Sequence, residues 1–314
     1  MPFFSVIIPM YNRAAFIGRA IDSVLSQDDA DFEVVVVDDG SADDSVAAVR
    51  RYTDPRVRLV LSPVNQGRCP ARNLGMKHAV GEWFVFLDSD DELTPGALRL
   101  IRARIEAAPP TVGAMRFMCV SDTGERSPEP PHSGQIVDYA GFLRWAELSL
   151  KATHTEAMPC VKATTFPAVQ YPSGHADEGR YHLDIARLVE TQLAPDVVRL
   201  YHHDAPQRVM HANLGRILRY APDLADDAAQ VLGRHGEAMR RTVPDLYYVK
   251  VMEAVSQSFL AGRRFTALRY ATRLTTRPRF WARLSAVTGL GMLGPRAAAW
   301  AKKQWMRMQG RKAA

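Results

Sequence analysis

Trp83-Phe-Val-Phe-Leu-Asp-Ser-Asp-Asp91 passes from five apolar residues directly into four polar ones. An apolar run this short, closed by turn-forming acidic residues, reads as a strand buried on both faces that ends at a polar edge. Three runs of the same kind precede it, at 5–8, 34–37 and 57–61. Helical patterns lie between them. Phe16, Ile17, Ala20, Ile21, Val24 and Leu25 recur at helical spacing behind Asn12 as N-cap. Asp43 or Asp44 opens a second helix carrying Val46 and Val49, and a third covers 70–79. Strand–helix alternation predicts an α/β chain with a mostly parallel sheet and helices on both faces. Ligands on such sheets sit outside the carboxyl ends of the strands, which is where Asp88 to Asp91 fall.

Working outward, Thr94-Pro95 reads as an N-cap with proline at the first helical position, starting a helix that runs to about residue 107. Residues 121–133, rich in Pro, Ser, Gly and charge, read as an exposed loop. A β-like run covers 197–201. Beyond about residue 211 the pattern is helical, which predicts two domains, 1–210 and 211–314.

Bulk properties narrow the class. The 314 residues include 47% hydrophobic and 24% charged side chains, ordinary for a globular protein. The three cysteines have no C-x-x-C spacing, which argues against a disulfide framework or a structural zinc site and for a reducing compartment. The amino terminus lacks a basic region and a small-residue cleavage site, and no apolar stretch is long enough to span a bilayer, so a cytoplasmic location is expected. Net charge is +6, yet residues 262–314 carry 13 Lys and Arg and no acid, which leaves the preceding 261 at −7. A basic tail containing Trp281, Trp300 and Trp305 suits an anionic membrane surface, with peripheral binding to its inner face. The alternative is a helical accessory region with a solvated basic face. No zinc finger or RNP1-like motif supports a nucleic-acid partner.

Chemistry concentrates at three strand ends: Pro9-Met-Tyr-Asn-Arg13, Asp38-Asp-Gly-Ser41 and Asp88-Ser-Asp-Asp91. Carboxylates at Asp88 and Asp90 supply the hard oxygen ligands that Mg2+ or Mn2+ requires, with substrate phosphates completing the shell.

Four ordered segments carry a resemblance. Ser5-Val-Ile-Ile-Pro-Met-Tyr-Asn12, Val35-Val-Val-Asp-Asp-Gly-Ser41, Asn65-Gln-Gly-Arg-Cys-Pro-Ala-Arg-Asn-Leu-Gly75 and Phe86-Leu-Asp-Ser-Asp-Asp91 resemble the family 2 glycosyltransferases of the GT-A fold. The likeness is close over the first 100 residues, weaker from 110 to 205 and slight thereafter. It implies an inverting, metal-dependent transfer from a nucleotide-sugar donor, typically UDP-linked, to a glycan or lipid-linked acceptor in bacterial surface glycan or glycolipid assembly. Pro9, Tyr11 and Asn12 would border the base, Asp39 would bond it, and Arg72 would help hold the nucleotide. Asp88 would lie near the ribose, and Asp90 would bind the metal. The acceptor base would come from Asp177 or Glu178, with Asp177 placed first; the family order is Glu-Asp, here reversed. A histidine of His202-His203, with His203 placed first, would complete the metal site or contact the diphosphate. Asp177 also reads as a helix cap before residues 181–189. Two rival functions are a sugar nucleotidyltransferase, which needs a Gly-rich basic loop where Pro-Met-Tyr-Asn stands, and a non-catalytic scaffold at a membrane. The resemblance names neither donor sugar, acceptor nor linkage.

Overall fold

The computed structural model describes residues 1–127, 133–151, 156–204, 214–274 and 281–299. Among these, residues 1–174 and 178–206 form one compact unit, and 175–177 with 207–314 form a second.

The first unit is built on one mixed sheet. β1 (Phe4–Met10), β2 (Phe32–Asp39), β3 (Val57–Ser62) and β4 (Trp83–Phe86) are the four apolar runs. They pair strictly in parallel in the order β3-β2-β1-β4. β5 (Glu92–Leu93) follows the acidic turn, and β6 (Val112–Ser121) is one of two long strands in the other half. β9 (Met158–Lys162) and β10 (Glu190–Tyr201) complete the sheet, with short β7 (Arg126–Ser127) paired to β6 and β8 (Ile136–Val137) to β10. Past β4 the order is β9-β6-β10-β5. Here β9 runs antiparallel to both neighbours, β6 and β10 are parallel, and β5 is antiparallel.

Alternation along each strand separates two cores. Val6, Ile8, Val34, Val36, Val85 and Leu87 face α1 (Ile17–Leu25), α2 (Ser45–Arg50) and α4 (Ala97–Ala107). Ile7, Val35, Val37, Phe84 and Phe86 face α3 (Arg68–His78) and α6 (Gly179–Leu188). α5 (Tyr139–Leu148) lies between β8 and β9 in sequence. α3 seats very closely: a Cβ at Gly75 would come within 2.4 Å of Ile7 Cγ2 and 3.2 Å of Val37 Cγ2. This side-chain parity matters for function, because Asp39, Asp88 and Arg116 continue the positions that face α3 and α6.

Several helix starts differ from the sequence reading. Asn12 is not the cap of α1. It sits at φ 51°, a left-handed conformation that asparagine tolerates, and its Oδ1 accepts from Ala42 N at 2.9 Å. Asn12 N in turn donates to Ser41 Oγ at 2.9 Å. The residue therefore clasps two strand-end loops rather than a helix. α4 begins at Ala97, behind Gly96 at φ 73°, because Thr94 is drawn to β10, where its Oγ1 donates to Val197 O. Asp177 does not cap α6; Glu178 precedes its first residue and makes no side-chain cap.

The second unit contains α7 (Leu214–Thr242), α8 (Pro244–Leu260), α9 (Arg264–Ala271) and α10 (Trp281–Met292). Its interior includes Val251, Val255, Phe259 and Ala267. Phe265 is 90% exposed and Leu293 76% exposed. Gly262 approaches Pro295, and Gly294 approaches Arg264, so the turns before α9 and after α10 adjoin. Among the described residues no helix is long and apolar enough to cross a membrane. Trp300 and Trp305 lie outside the described residues, as do His154 and the side chain of Trp281.

Candidate active site

The site starts from Asp39, the last residue of β2. Its Oδ1 accepts from Gln66 N at 2.9 Å and its Oδ2 from Gly67 N at 2.8 Å. These bonds fix the loop that launches α3. Burial raises the carboxyl pKa, against the lowering effect of the two backbone donors. Each oxygen retains a lone pair for a further donor. Gly40 sits at φ 72°, and a Cβ there would fall within 2.8 Å of the backbone at Val64 and Asn65, closer than a side chain allows.

α3 then aims two arginines one turn apart. Arg72, 4% exposed, reaches Asp88 Oδ1 with Nη2 at 2.7 Å, and its Nη1 pairs with Glu178. Arg68 Nε holds the other oxygen of Glu178 at 2.7 Å. Burial alone would raise the Glu178 pKa; the Arg72 and Arg68 guanidiniums outweigh it and hold the carboxyl below its ordinary value. Tyr171 and Phe86 lie beneath the Arg72 guanidinium, 5.4 and 6.0 Å from it.

The acidic turn is braced from both sides of the sheet. Asp91 N donates to Asp88 O. Arg19 Nε donates to Asp90 O at 2.9 Å, and its Nη1 pairs with Asp204 at 2.8 Å. Arg13 Nε stands 3.7 Å from Asp90 Oδ2. Arg199, on β10, spans three acids: Glu156 at 2.8 Å, Asp91 at 3.5 Å and Asp88 at 3.6 Å. Burial pushes the Asp91 carboxyl up to about 7; Arg199 opposes the shift, and Asp88 and Asp90 add to it. Asp88 and Asp90 side chains remain 38% and 19% exposed.

Asp88 and Asp90 are thus two solvent-reachable hard-oxygen donors in a turn where negative charge accumulates. That donor set fits a divalent cation that takes its remaining ligands from phosphate and water. His203 does not join them. Its Nδ1 bonds Asp122 Oδ1 at 2.6 Å, which holds the Asp122 carboxyl at about 2, and His202 Nε2 bonds Glu92 at 2.6 Å. Among the described residues no three His, Cys, Asp or Glu side chains converge as a metal set.

Of the residues expected from sequence, Asp39, Arg72, Asp88, Asp90 and Glu178 lie along one connected polar edge. Tyr11 is 40% exposed at the end of β1, beside Asn12. Pro9 lies within β1, opposite Val37. Asp177 parts from its neighbour: it falls in the second unit, where its charge adds to that of Glu253 in raising the Lys250 pKa. Sequence reading missed Arg13, Arg19, Arg68 and Arg199. For Arg199 a signal existed: a lone arginine in an apolar strand is costly without acidic partners.

A cavity of about 470 Å3 opens beside α3, with Ser62, Gln66, Asn73, Lys77 and Gln170 in its wall. It shares Asp39 with the polar edge but contains none of Tyr11, Arg72, Asp88 or Asp90. The chemistry is therefore not centred there.

The chain is similar in sequence and in fold to known proteins. The sequence profile described as "Glycosyl transferase family 2" matches residues 5–157. The Succinoglycan biosynthesis protein ExoO of Rhizobium meliloti is 42% identical over 152 residues, 48% of this chain and 42% of that protein. The GalNAc(5)-diNAcBac-PP-undecaprenol beta-1,3-glucosyltransferase of Campylobacter jejuni is 42% identical over 101 residues, 31% of this chain and 33% of that protein. The matched segment spans less than half of each relative's length. S. aureus TarS 1-349, solved in complex with UDP-GlcNAc, is 17% identical; the likeness covers 97% of this chain and 92% of that one, with a TM-score of 0.61. At that identity the likeness shows a shared fold, GT-A. Residues 5–157, which carry Asn12, Asp39 and Asp88 at or just beyond the ends of β1, β2 and β4 and Arg68 at the start of α3, match glycosyl transferase family 2.

Proposed function

We propose that this chain transfers a sugar from a nucleoside-diphosphate donor to an acceptor hydroxyl, inverting the anomeric centre, in assembly of a bacterial surface glycan or glycolipid. One observation carries the reading: a single guanidinium, Arg72, bridges Asp88 and Glu178. A carboxylate suited to the donor and one suited to the acceptor are thereby held on two arms of one rigid group.

Tyr11 and Asn12 border the base, a uracil in this reading, and Asp39 accepts a hydrogen bond from it. Arg72 steadies Asp88 against the ribose. Asp90, with Asp88 near it, is the residue that would hold Mn2+ or Mg2+. Such a cation, when bound, supplies Lewis-acid neutralisation of the leaving diphosphate. We assign the base to Glu178 ahead of Asp177. Its carboxylate takes the proton as the acceptor oxygen bonds to the anomeric carbon, and the bond to the diphosphate breaks with its electron pair leaving on phosphate. The name of the Campylobacter relative describes a lipid-diphosphate acceptor, and that acceptor class is proposed here too.

Peripheral binding to an anionic bilayer belongs to the same reading. It is supported by exposed Phe265 and Leu293 among Arg264, Arg269 and Arg296, all exposed, within a tail that has no acid. The test of the central proposal is a panel of UDP- and GDP-sugars assayed for Mn2+-dependent hydrolysis and transfer. Release of nucleoside diphosphate from at least one donor is expected, with its Mn2+-dependence abolished in Asp90→Ala. Metal-independent release unaffected by that substitution would overturn it.

A further inference from the structure

Arg116 is a charged residue that the proposed reaction leaves unused. It lies in the middle of β6, paired in register with Pro159 of β9 and Leu193 of β10. Alternation places Met115, Phe117 and Cys119 in the core under α1 and α4. Arg116 therefore projects from the opposite face, as Ala114 does, toward Tyr171 and Tyr181.

The side chain is 9% exposed, and its Nε and Nη1 are buried without a hydrogen-bond partner. The Arg116 guanidinium lies 5.0 Å from the ring centre of half-buried Trp145. It feels the charge of Glu156 and Glu178, yet Glu156 is taken by Arg199, and Glu178 by Arg68 and Arg72. Buried guanidiniums elsewhere in this unit have acids; this one has an aromatic face alone. Leaving such a charge unanswered is strongly disfavoured, and a planar fork beside an aromatic ring is suited to a bidentate anion on a sugar. Burial also depresses the Arg116 pKa and, with the charges of Arg116 and Arg72, holds the His182 imidazole well below its ordinary value. Among the described residues no acid pairs directly with the Arg116 guanidinium.

β6 stands two strands beyond β4 on the side away from the nucleotide-facing strands β1–β3. We infer that Arg116 and Trp145 form an anion-reading subsite for the saccharide acceptor, taking a carboxylate or a phosphate that the acceptor carries. The inference rests on the proposed glycosyl transfer only in naming the anion's carrier an acceptor saccharide.

The test uses the full chain with saturating UDP and three probes: methyl glucuronide, glucose 1-phosphate and neutral methyl glucoside, followed by ligand-observed NMR. At least one anionic probe should bind the wild type tenfold or more tightly than the glucoside. Arg116→Gln should erase that preference, and Arg116→Lys should keep part of it, with UDP affinity unchanged in both. Which probe wins distinguishes carboxylate from phosphate. Equal binding of all three to the wild type, or a preference that survives Arg116→Gln, overturns the subsite. Arg116→Met should leave the melting temperature unchanged or raise it; a large fall would make the guanidinium structural and also overturn the inference. Failure of the wild type to bind UDP would count against the glycosyl-transfer reading instead, since the probe contrast does not depend on it.

Discussion

The two halves of the sheet solve different problems. β1–β4 are parallel and largely apolar, and Asp39 at the carboxyl end of β2 is fixed by backbone donors, while the inner polar set of Ser5, Glu33 and Arg58 lies near the opposite ends. β6, β9 and β10 mix directions and carry arginines within the strands themselves, Arg116 and Arg199, both nearly buried. The first half positions groups by geometry that any sequence of its pattern would adopt. The second positions Arg199 by charge pairing, which changes with a single substitution, and sets Arg116 against an aromatic face. In this reading a common nucleotide is met by the invariant-geometry half and a variable saccharide by the other.

That contrast is sharpened most by the adjacent acids. Glu178→Gln should lower kcat by about 10^3-fold while UDP affinity holds, as loss of a general base does. Asp177→Asn should change kcat less than about threefold, an order-of-magnitude expectation for a group outside the reacting atoms. Steady-state kinetics with the active donor decides between them; the reverse pattern would return the base to Asp177. Next in size is the acidic turn. Asp90→Ala should cost about 10^2-fold in kcat/KM and abolish the response to added Mn2+, whereas Asp88→Asn should raise KM for the donor more than it lowers kcat.

On stability the two strand arginines should part company. Arg199→Met leaves Glu156 and Asp91 without their shared cation, and breaking a buried network of this kind costs about 3 kcal/mol. Urea unfolding should place Arg116→Met near the wild type and Arg199→Met well below it. If both fall equally, the division between a structural and a ligand-facing arginine is wrong. The smallest effect is expected in the second unit. Phe265→Ser with Leu293→Ser should weaken sedimentation with phosphatidylglycerol vesicles by about threefold to tenfold, consistent with two partly inserted apolar side chains. Unchanged pelleting would remove the bilayer from the proposal.

The same division decided what the sequence could disclose. The four parallel strands were legible because burial on both faces demands continuous apolar runs, and such runs stand out. Their polar ends were legible because a strand that stops at Asp39 or Asp88 leaves few places for the carboxylate to go. β6 and β10 were harder to read. Val197–Tyr201 was visible only as the tail of a strand that begins at Glu190, because Gln192 and Pro195 interrupt the apolar pattern. Asn12 and Thr94 have the composition of helix caps, but each was claimed by a loop or strand distant in sequence. His203 was misdirected for a similar reason: Asp122, 81 residues away, captures its ring. Asp177 and Glu178 are indistinguishable by local pattern. Only folding shows that one of them meets two arginines.

Gly75 ties these observations together. Its missing side chain lets α3 rest directly on Ile7 and Val37, and α3 carries Arg68 and Arg72 as one rigid piece. The core under that helix acts as the gauge block of an instrument. A single methyl group inserted there would lift both guanidiniums together, away from Asp88 and Glu178. A lineage could therefore lose the proposed activity without altering any polar residue, through a change that inspection of the candidate site alone would pass as harmless.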